Sequence, residues 1–321
     1  MVESRYMNIY TEMKKPIFSL APMEDVTDSV FRQVVSTASK PTLFYTEFVN
    51  VEGLNSKGKE RVIHRLEYDK KEKPIVAQLW GITPLNFYKA AKLVKRLGFD
   101  GVDINMGCSV KKVVQKNAGS GLIQEERGRV KEIIDAVKEG SKGLPISVKT
   151  RLGWDEYDMD WIKFLLEQDL DALTIHGRTA RGKGILNANW EKISECVDMR
   201  DEMKKDTLIF GNGDIHSLKQ AKEYYKKYKV DGVMIGRAAI TNPWIFSGKE
   251  NISQEERYIL FKKHLELFNT VWGERKNFSQ LKKFFRAYIY GFDGANEIRS
   301  EFMKCNSVKE CMDILLPLFK I

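Results

Sequence analysis

Eight short apolar runs recur over about 240 residues of this chain, each ending at a polar or glycine-bearing turn, and no other feature limits the fold as tightly. They lie at 17–21 before Pro22 and Met23, 42–46 before Glu47, 75–77 before Gln78, and 101–104 before Asn105. The series continues at 146–148 before Lys149, 172–175 before His176, 208–210 before Gly211 and Asn212, and 233–235 before Gly236 and Arg237. Stretches of helical period separate them, at 85–97, 129–138, 160–168 and 217–228. Strands that are apolar throughout, rather than alternating, belong in a parallel sheet covered by helices. Eight β/α units predict an α/β fold closed into a (β/α)8 TIM barrel.

In such a barrel the C-terminal ends of the strands converge on one mouth, where active sites are built. Met23, Glu47, Gln78, Asn105, Lys149, His176, Asn212 and Arg237 all fall at or just past a strand end. After about Asn242 the strand pattern stops, and residues 242–246 are expected to close the barrel. Residues 248–253 read as a linker, and helical period returns at 257–272, 279–290, 295–303 and 307–319. The expected organisation is a barrel over 1–246 followed by a small all-α helical domain over 254–321.

Two glycine turns follow the last two strands, at 211–215 and 235–238. Barrels commonly hold a phosphate there on backbone N–H groups, and Arg237 adds charge. Lys149 ends its strand where an ammonium can stabilise negative charge on a ring such as a reduced flavin. His176 and Arg178 flank Gly177 and offer an imidazole and a guanidinium to a phosphate or a carbonyl edge. Cys108 follows Gly107 in a polar loop with no metal-ligand partner nearby, which leaves nucleophile or proton donor as its chemistry. An unperturbed thiol near pKa ~8.5 is mostly protonated at neutral pH and can donate. A fixed strand ending in Asn105, with a loop behind it able to move, suits that task.

Composition narrows the class further. With 53 Lys and Arg against 44 Asp and Glu, the chain carries a formal charge of +9, which favours a polyanionic partner. Four cysteines (Cys108, Cys196, Cys305, Cys311) lack both a disulfide framework and zinc spacing, so reduced thiols and no metal are expected. No apolar run reaches the ~20 residues that span a bilayer. The first ten residues, MVESRYMNIY, lack a signal-peptide pattern. A cytoplasmic protein without membrane association is expected, and the sequence leaves the oligomeric state open while favouring a monomer.

Several segments together resemble the tRNA-dihydrouridine synthase family. They are Ala21-Pro22-Met23 with Val26-Thr27-Asp28 and Phe31-Arg32, then Gln78-Leu79-Trp80-Gly81, and Asp103-Ile104-Asn105-Met106-Gly107-Cys108. Lys149-Thr150-Arg151, His176-Gly177-Arg178-Thr179, Gly211-Asn212-Gly213-Asp214 and Ile235-Gly236-Arg237 follow in the family's order. The match runs from about residue 16 to 246, and the helical tail resembles that family's tRNA-binding domain.

The resemblance implies an FMN-containing oxidoreductase that reduces the 5,6 double bond of selected uridines in tRNA, with NADPH (or NADH) as electron source. Pro22, Met23, Glu24, Gln78, Lys149, His176, Asn212, Gly213, Asp214, Gly236 and Arg237 would hold FMN. Asn105 and Arg178 would face the uracil, and Cys108 would protonate C5 while hydride reaches C6. Such chemistry needs the base out of its stack and a basic approach surface. Eight Lys and Arg between 257 and 286 (257, 262, 263, 275, 276, 282, 283, 286) against Glu266 and Glu274 would supply part of that surface. Phe284, Phe285, Tyr288 and Tyr290 read as the core of the tail.

Two departures stand out. Ser109 occupies the position after the cysteine where the family has Pro, freeing the loop backbone and adding an N–H. The segment 180–186 lacks the aromatic that the family carries. Two rival readings share many of these residues: an FMN barrel reducing a free pyrimidine or another small unsaturated ring, and a tRNA-binding homologue without activity.

Overall fold

The computed structural model describes residues 8–182, 186–249 and 251–319. The expectations placed on residues 1–7 and on 183–185, within the segment after Thr179, lie outside the described residues.

Eight parallel strands close on themselves: β1 (Ile17–Leu20), β2 (Leu43–Tyr45), β3 (Ile75–Trp80), β4 (Gly101–Met106), β5 (Ile146–Arg151), β6 (Ala172–His176), β7 (Leu208–Asn212) and β8 (Gly232–Ile235). The ring is sealed where Ser19 of β1 pairs with Leu43 of β2, and Ile17 pairs with Gly232 of β8. Phe44 of β2 pairs in turn with Ile75 of β3. The expected TIM barrel is therefore present. A further pair of extended residues, Val49–Asn50, adds to the mouth end of β3 through Val49 and Leu79. The helices begin and end within a few residues of the expected spans, at Pro84–Arg96, Arg127–Ser141, Met159–Leu166 and Leu218–Tyr228.

Period-two alternation gives each strand one face toward the barrel interior and one toward the helices. Val102, Ile104 and Met106 of β4 join the large barrel–helix core, so Asp103 and Asn105 point inward. A second cluster fills the interior, where Tyr10, Tyr45, Val76, Phe210 and Met234 pack together. Tyr10 comes from the short helix Ile9–Glu12 and is 1% exposed. Its hydroxyl bonds to Ser147 at 3.0 Å and to Tyr45 at 3.1 Å.

The tail holds helices at Gln254–Val271, Ala295–Lys304 and Val308–Leu318, with a ten-residue 3-10 stretch at Phe278–Ala287. Ser253 caps the first of these in a reciprocal box with Glu256. The tail shares apolar core with the barrel, since Phe284 stacks on Phe31 of the helix Ser29–Ser39 with ring centroids 4.6 Å apart. No helix among the described residues is long and apolar enough to cross a membrane.

Candidate active site

At the C-terminal mouth of the barrel lies a cavity of about 480 Å³. Strand register explains its contents. Asn105 sits beside Lys149, Arg151 beside His176, and His176 beside Asn212, all on inward-facing positions of adjacent strands. Pro22, Met23, Gln78, Asn105, Cys108, Lys149, His176, Arg178, Asn212, Gly213, Asp214, Gly236 and Arg237 all line it. Among the described residues, no group of three or more His, Cys, Asp and Glu could hold a metal ion.

Glu24 does not line the cavity. Asp25 takes a left-handed backbone (φ 55°), and the Glu24 carboxylate accepts from Arg65 at 2.6 Å. Burial raises its pKa, with Arg65 opposing.

Cys108 is partly exposed at the rim. Burial pushes its thiol above the ordinary range, although the Val110 N–H bonds to the sulfur and opposes the shift. The thiol is therefore protonated at neutral pH. Its loop is held more firmly than a mobile carrier would be. Asn105 Oδ1 accepts the backbone N–H of Gly107 at 3.1 Å and of Cys108 at 2.9 Å. The Cys108 carbonyl accepts from Ser120 N–H at 2.9 Å, and Arg151 Nε donates to the Gly107 carbonyl at 2.8 Å. Gly119 is needed at its position, because a Cβ would come within 2.6 Å of the Cys108 carbonyl oxygen at φ +59°. Ser109, where the family has Pro, is buried at 8% exposure and faces the same cavity.

Asn105 is only 5% exposed: its oxygen holds the loop, and Nδ2 donates one of its two hydrogens to Gln78 Oε1 at 2.9 Å. Arg178 is likewise held, donating to Asp214 at 2.6 Å, to the Leu186 carbonyl, and to His176 Nε2 at 3.2 Å. An accepting Nε2 leaves the proton of a neutral imidazole on Nδ1. Burial and the cations Lys149, Arg151, Arg178 and Arg237 hold His176 well below the usual histidine range, which keeps it neutral.

Lys149 Nζ makes no hydrogen bond or ion pair with any described residue. Burial, with Arg151 next, lowers its pKa to about 8. Asp103 below it acts only through space, and a half-buried ammonium that faces a cavity without a hydrogen-bond acceptor is built for an anionic or strongly accepting ligand. At the far side of the cavity, Gly213 has φ +126°, and a Cβ there would strike Ala188 at 2.6 Å and His176 at 3.0 Å. Gly236 differs: a Cβ would meet nothing nearer than Ala21 at 3.5 Å. The protein's own packing does not demand glycine there, and the space stays open for a bound group. Asp214 accepts from Arg178, from Arg237 at 3.1 Å and from Ala188 N–H at 2.8 Å. Burial raises its pKa, but these donors outweigh burial and hold the carboxyl below its usual value.

Arg151, His216 and Phe48 also line the cavity, though no role attaches to them in the sequence. Arg151 had a usable signal, since it follows Lys149 by two on one strand and must share its face. His216 and Phe48 sit in loops, where no period points.

The basic tail is partly committed elsewhere. Lys276 pairs with Asp28 at 2.8 Å, Arg275 with Glu67 at 2.7 Å, and Lys283 donates to the Asp25 carbonyl, so these three fasten the tail to the barrel. Arg257 and Lys282 bond to tail carbonyls, whereas Lys263 and Arg286 are exposed. Phe284, Phe285 and Tyr288 are buried as expected; Tyr290 is 39% exposed and lies under the Arg257 guanidinium instead. Beside Cys108, Lys111, Lys112 and Lys116 are exposed and make no hydrogen bond or ion pair with a described residue.

Comparison with known proteins places the chain among relatives. The family model described as "Dihydrouridine synthase (Dus)" matches residues 19–320. The "Probable tRNA-dihydrouridine synthase" of Staphylococcus aureus (strain COL) is 42% identical over 313 residues, spanning 96% of this chain and 94% of that protein. The "Probable tRNA-dihydrouridine synthase 2" of Bacillus subtilis (strain 168) is also 42% identical, spanning 96% and 95%. Among solved structures, morphinone reductase aligns with a TM-score of 0.51 at 15% identity, covering 75% of this chain and 87% of that one. Histamine dehydrogenase from Rhizobium sp. 4-9 aligns at 0.58 with 12% identity, covering 81% and 50%. These two likenesses concern the fold alone.

Proposed function

The chain belongs to the dihydrouridine synthase family, and on that premise we propose that it reduces the 5,6 double bond of uridines in tRNA, with FMN as its redox group and NADPH or NADH as electron source. The observation that carries the reading is one cavity bearing a protonated thiol, an ammonium with no hydrogen bond to a described residue, and two glycine turns with an arginine.

The donor set fits FMN. Gly213, Asp214, Gly236 and Arg237 would hold the phosphate end, the open space at Gly236 admitting close backbone approach. Lys149, Gln78 and His176 would hold the ring end, where Lys149 supplies positive charge and neutral His176 supplies a donor at Nδ1. When bound, the flavin supplies the hydride that uracil C6 receives.

The remaining work falls to side chains of this chain. The Cys108 thiol gives its proton to C5 of the uracil, which is general-acid catalysis with burial keeping the proton in place. Asn105 positions that thiol by holding its loop, and the second hydrogen of its amide, at the cavity wall, would face the uracil. Arg178, fixed by Asp214, presents a guanidinium to the cavity wall. Residues 1–246 form the catalytic unit in this reading, and 254–321 act as the RNA-binding unit. The exposed Lys111, Lys112 and Lys116 beside the mouth extend the basic surface to the site itself. The protein acts in the cytoplasm, in keeping with its reduced cysteines and its tRNA substrate.

The test is to map dihydrouridine in tRNA from cells with and without this gene. Loss of the modified base at defined positions is expected. An unchanged dihydrouridine map in the deletion strain rejects the proposal.

A further inference from the structure

Beneath the cavity, out of contact with it, lies a carboxylate that the chemistry above does not use. Asp103 is fully buried on β4, two residues before Asn105 and five before Cys108. Gln78 Nε2 donates to its Oδ2 at 2.6 Å, and Ser147 Oγ donates to its Oδ1 at 2.5 Å. Burial raises its pKa to about 6, which leaves it ionised above neutral pH.

The directions of these bonds are forced. An ionised carboxylate only accepts, so Gln78 has to turn its NH2 group toward Asp103. That places Gln78 Oε1 on the other side, where it accepts from Asn105 Nδ2 at 2.9 Å. Asn105 thereby aims its Oδ1 at the loop, where it accepts the N–H groups of Gly107 and Cys108. The two ends of an Asn or Gln amide have nearly the same shape, so shape alone does not choose between orientations. The relay is anchored at both ends: the loop's two N–H groups, which only donate, select Asn105 Oδ1 from above, and the carboxylate, which only accepts, selects Gln78 Nε2 from below. A second chain runs from below in the same sense: the Ser147 hydroxyl gives its hydrogen to Asp103 and accepts from Tyr10 at 3.0 Å, whose oxygen is left to accept from Tyr45 at 3.1 Å.

We propose that Asp103 is the positioning residue for Cys108, fixing the thiol's loop through the directed amide relay Asp103–Gln78–Asn105. This rests on the reading of Cys108 as proton donor, but the relay itself is testable without any turnover. Asp103→Asn keeps the shape but replaces the obligate acceptor by an amide that can also turn its NH2 group toward Gln78, so the relay loses its lower anchor and keeps only the loop N–H groups. Adding Gln78→Glu then restores one carboxylate in the pair. That carboxylate can accept from the amide introduced at position 103 and from Asn105, and so aims Asn105 at the loop again.

The experiment measures the second-order rate of Cys108 alkylation by iodoacetamide, with folding followed by circular dichroism and Cys108→Ala as background. In Asp103→Asn the loosened loop is expected to expose the thiol and speed alkylation about 10-fold, while kcat for dihydrouridine formation falls by about 10-fold or more at nearly unchanged KM for tRNA. The double variant Asp103→Asn/Gln78→Glu is expected to return alkylation to the wild-type rate. A folded single variant that alkylates at the wild-type rate overturns the relay. So does a double variant that stays as fast as the single one, since loss of packing alone would not be reversed by moving the charge. Should the single variant not fold, the double decides alone: folded with wild-type alkylation supports the relay, and unfolded or altered alkylation overturns it. A wild-type protein that makes no dihydrouridine would remove the functional reading yet leave these alkylation outcomes intact.

Discussion

Asn105 and Cys108 are joined by one hydrogen bond, from the backbone N–H of the cysteine to the side-chain oxygen of the asparagine at 2.9 Å. A thiol whose main chain is tied to a strand end sits at a set height above the barrel, and the substrate must come to it. Removing the sulfur should then spare everything but proton delivery. Cys108→Ala is expected to purify with FMN and to consume NADPH, while dihydrouridine formation falls by roughly 10²–10⁴. Mass spectrometry of the tRNA product checks this, and full activity in the variant would take the thiol out of the mechanism.

Lys149 Nζ makes no hydrogen bond or ion pair with a described residue, and the Asp103 carboxylate acts on it only through space, so its N–H groups are available to the cofactor. Burial and then Arg151 bring its pKa down to about 8. An anionic ligand prefers the charged form, so affinity should be highest below that pH and should fall as pH rises through it. Fluorescence titration of the apoprotein with FMN near neutrality and in mild alkali is expected to show this loss. Lys149→Met should bind more weakly, by about 10-fold, with the same affinity at both pH values.

Glu47, 1% exposed, is placed where burial is opposed chiefly by Lys276 at 3.8 Å. Burial raises its pKa from 4.5 to about 7. The folded state thus holds a proton that the unfolded state has released across that interval, so this group's contribution to stability falls as pH rises from 4.5 to 7. The loss is at most roughly 3 kcal/mol. Denaturant unfolding of wild type and Glu47→Gln at mildly acidic and mildly alkaline pH isolates it. The wild type should lose stability relative to the variant on going to the higher pH; parallel pH profiles would show that the carboxyl stays ionised when folded.

Lys111, Lys112 and Lys116 follow the thiol in sequence, are exposed, and make no hydrogen bond or ion pair with a described residue, Glu24 acting on Lys112 only through space. Each phosphate they neutralise releases counterion, so the triple Gln variant should bind tRNA with a salt slope shallower by about 2–3. KM should rise with kcat little changed. Binding isotherms at several salt concentrations give the slope, and an unaltered slope would place the RNA backbone elsewhere.

Much of the fold was legible because each strand declares itself locally. An apolar run ending in a hydrogen-bonding residue carries its own position and its own direction toward the mouth, and thirteen of the fourteen expected site residues line one cavity as a result. Glu24 is the exception, and its fate depends on Arg65, which lies 41 residues away in sequence. The same limit hid Tyr10, which fills the barrel from a short N-terminal helix, and the attachment of Lys276 to Asp28 across 248 residues. Asp103 reads in sequence as one polar letter inside an apolar run, and only the alternation of a closed barrel turns it inward beneath Gln78 and Ser147. Local pattern gives strands and their ends; partners brought together by closure have to be seen.

The most direct test of the account is reconstitution. Purified protein, FMN and NADPH are incubated with tRNA whose uridines are unmodified, and separately with free uracil, and the products are sequenced and weighed. The account predicts dihydrouridine at defined positions of the tRNA and no reduction of free uracil. Reduction of free uracil with the tRNA untouched, or RNA binding with no flavin and no reduction of either, would contradict it.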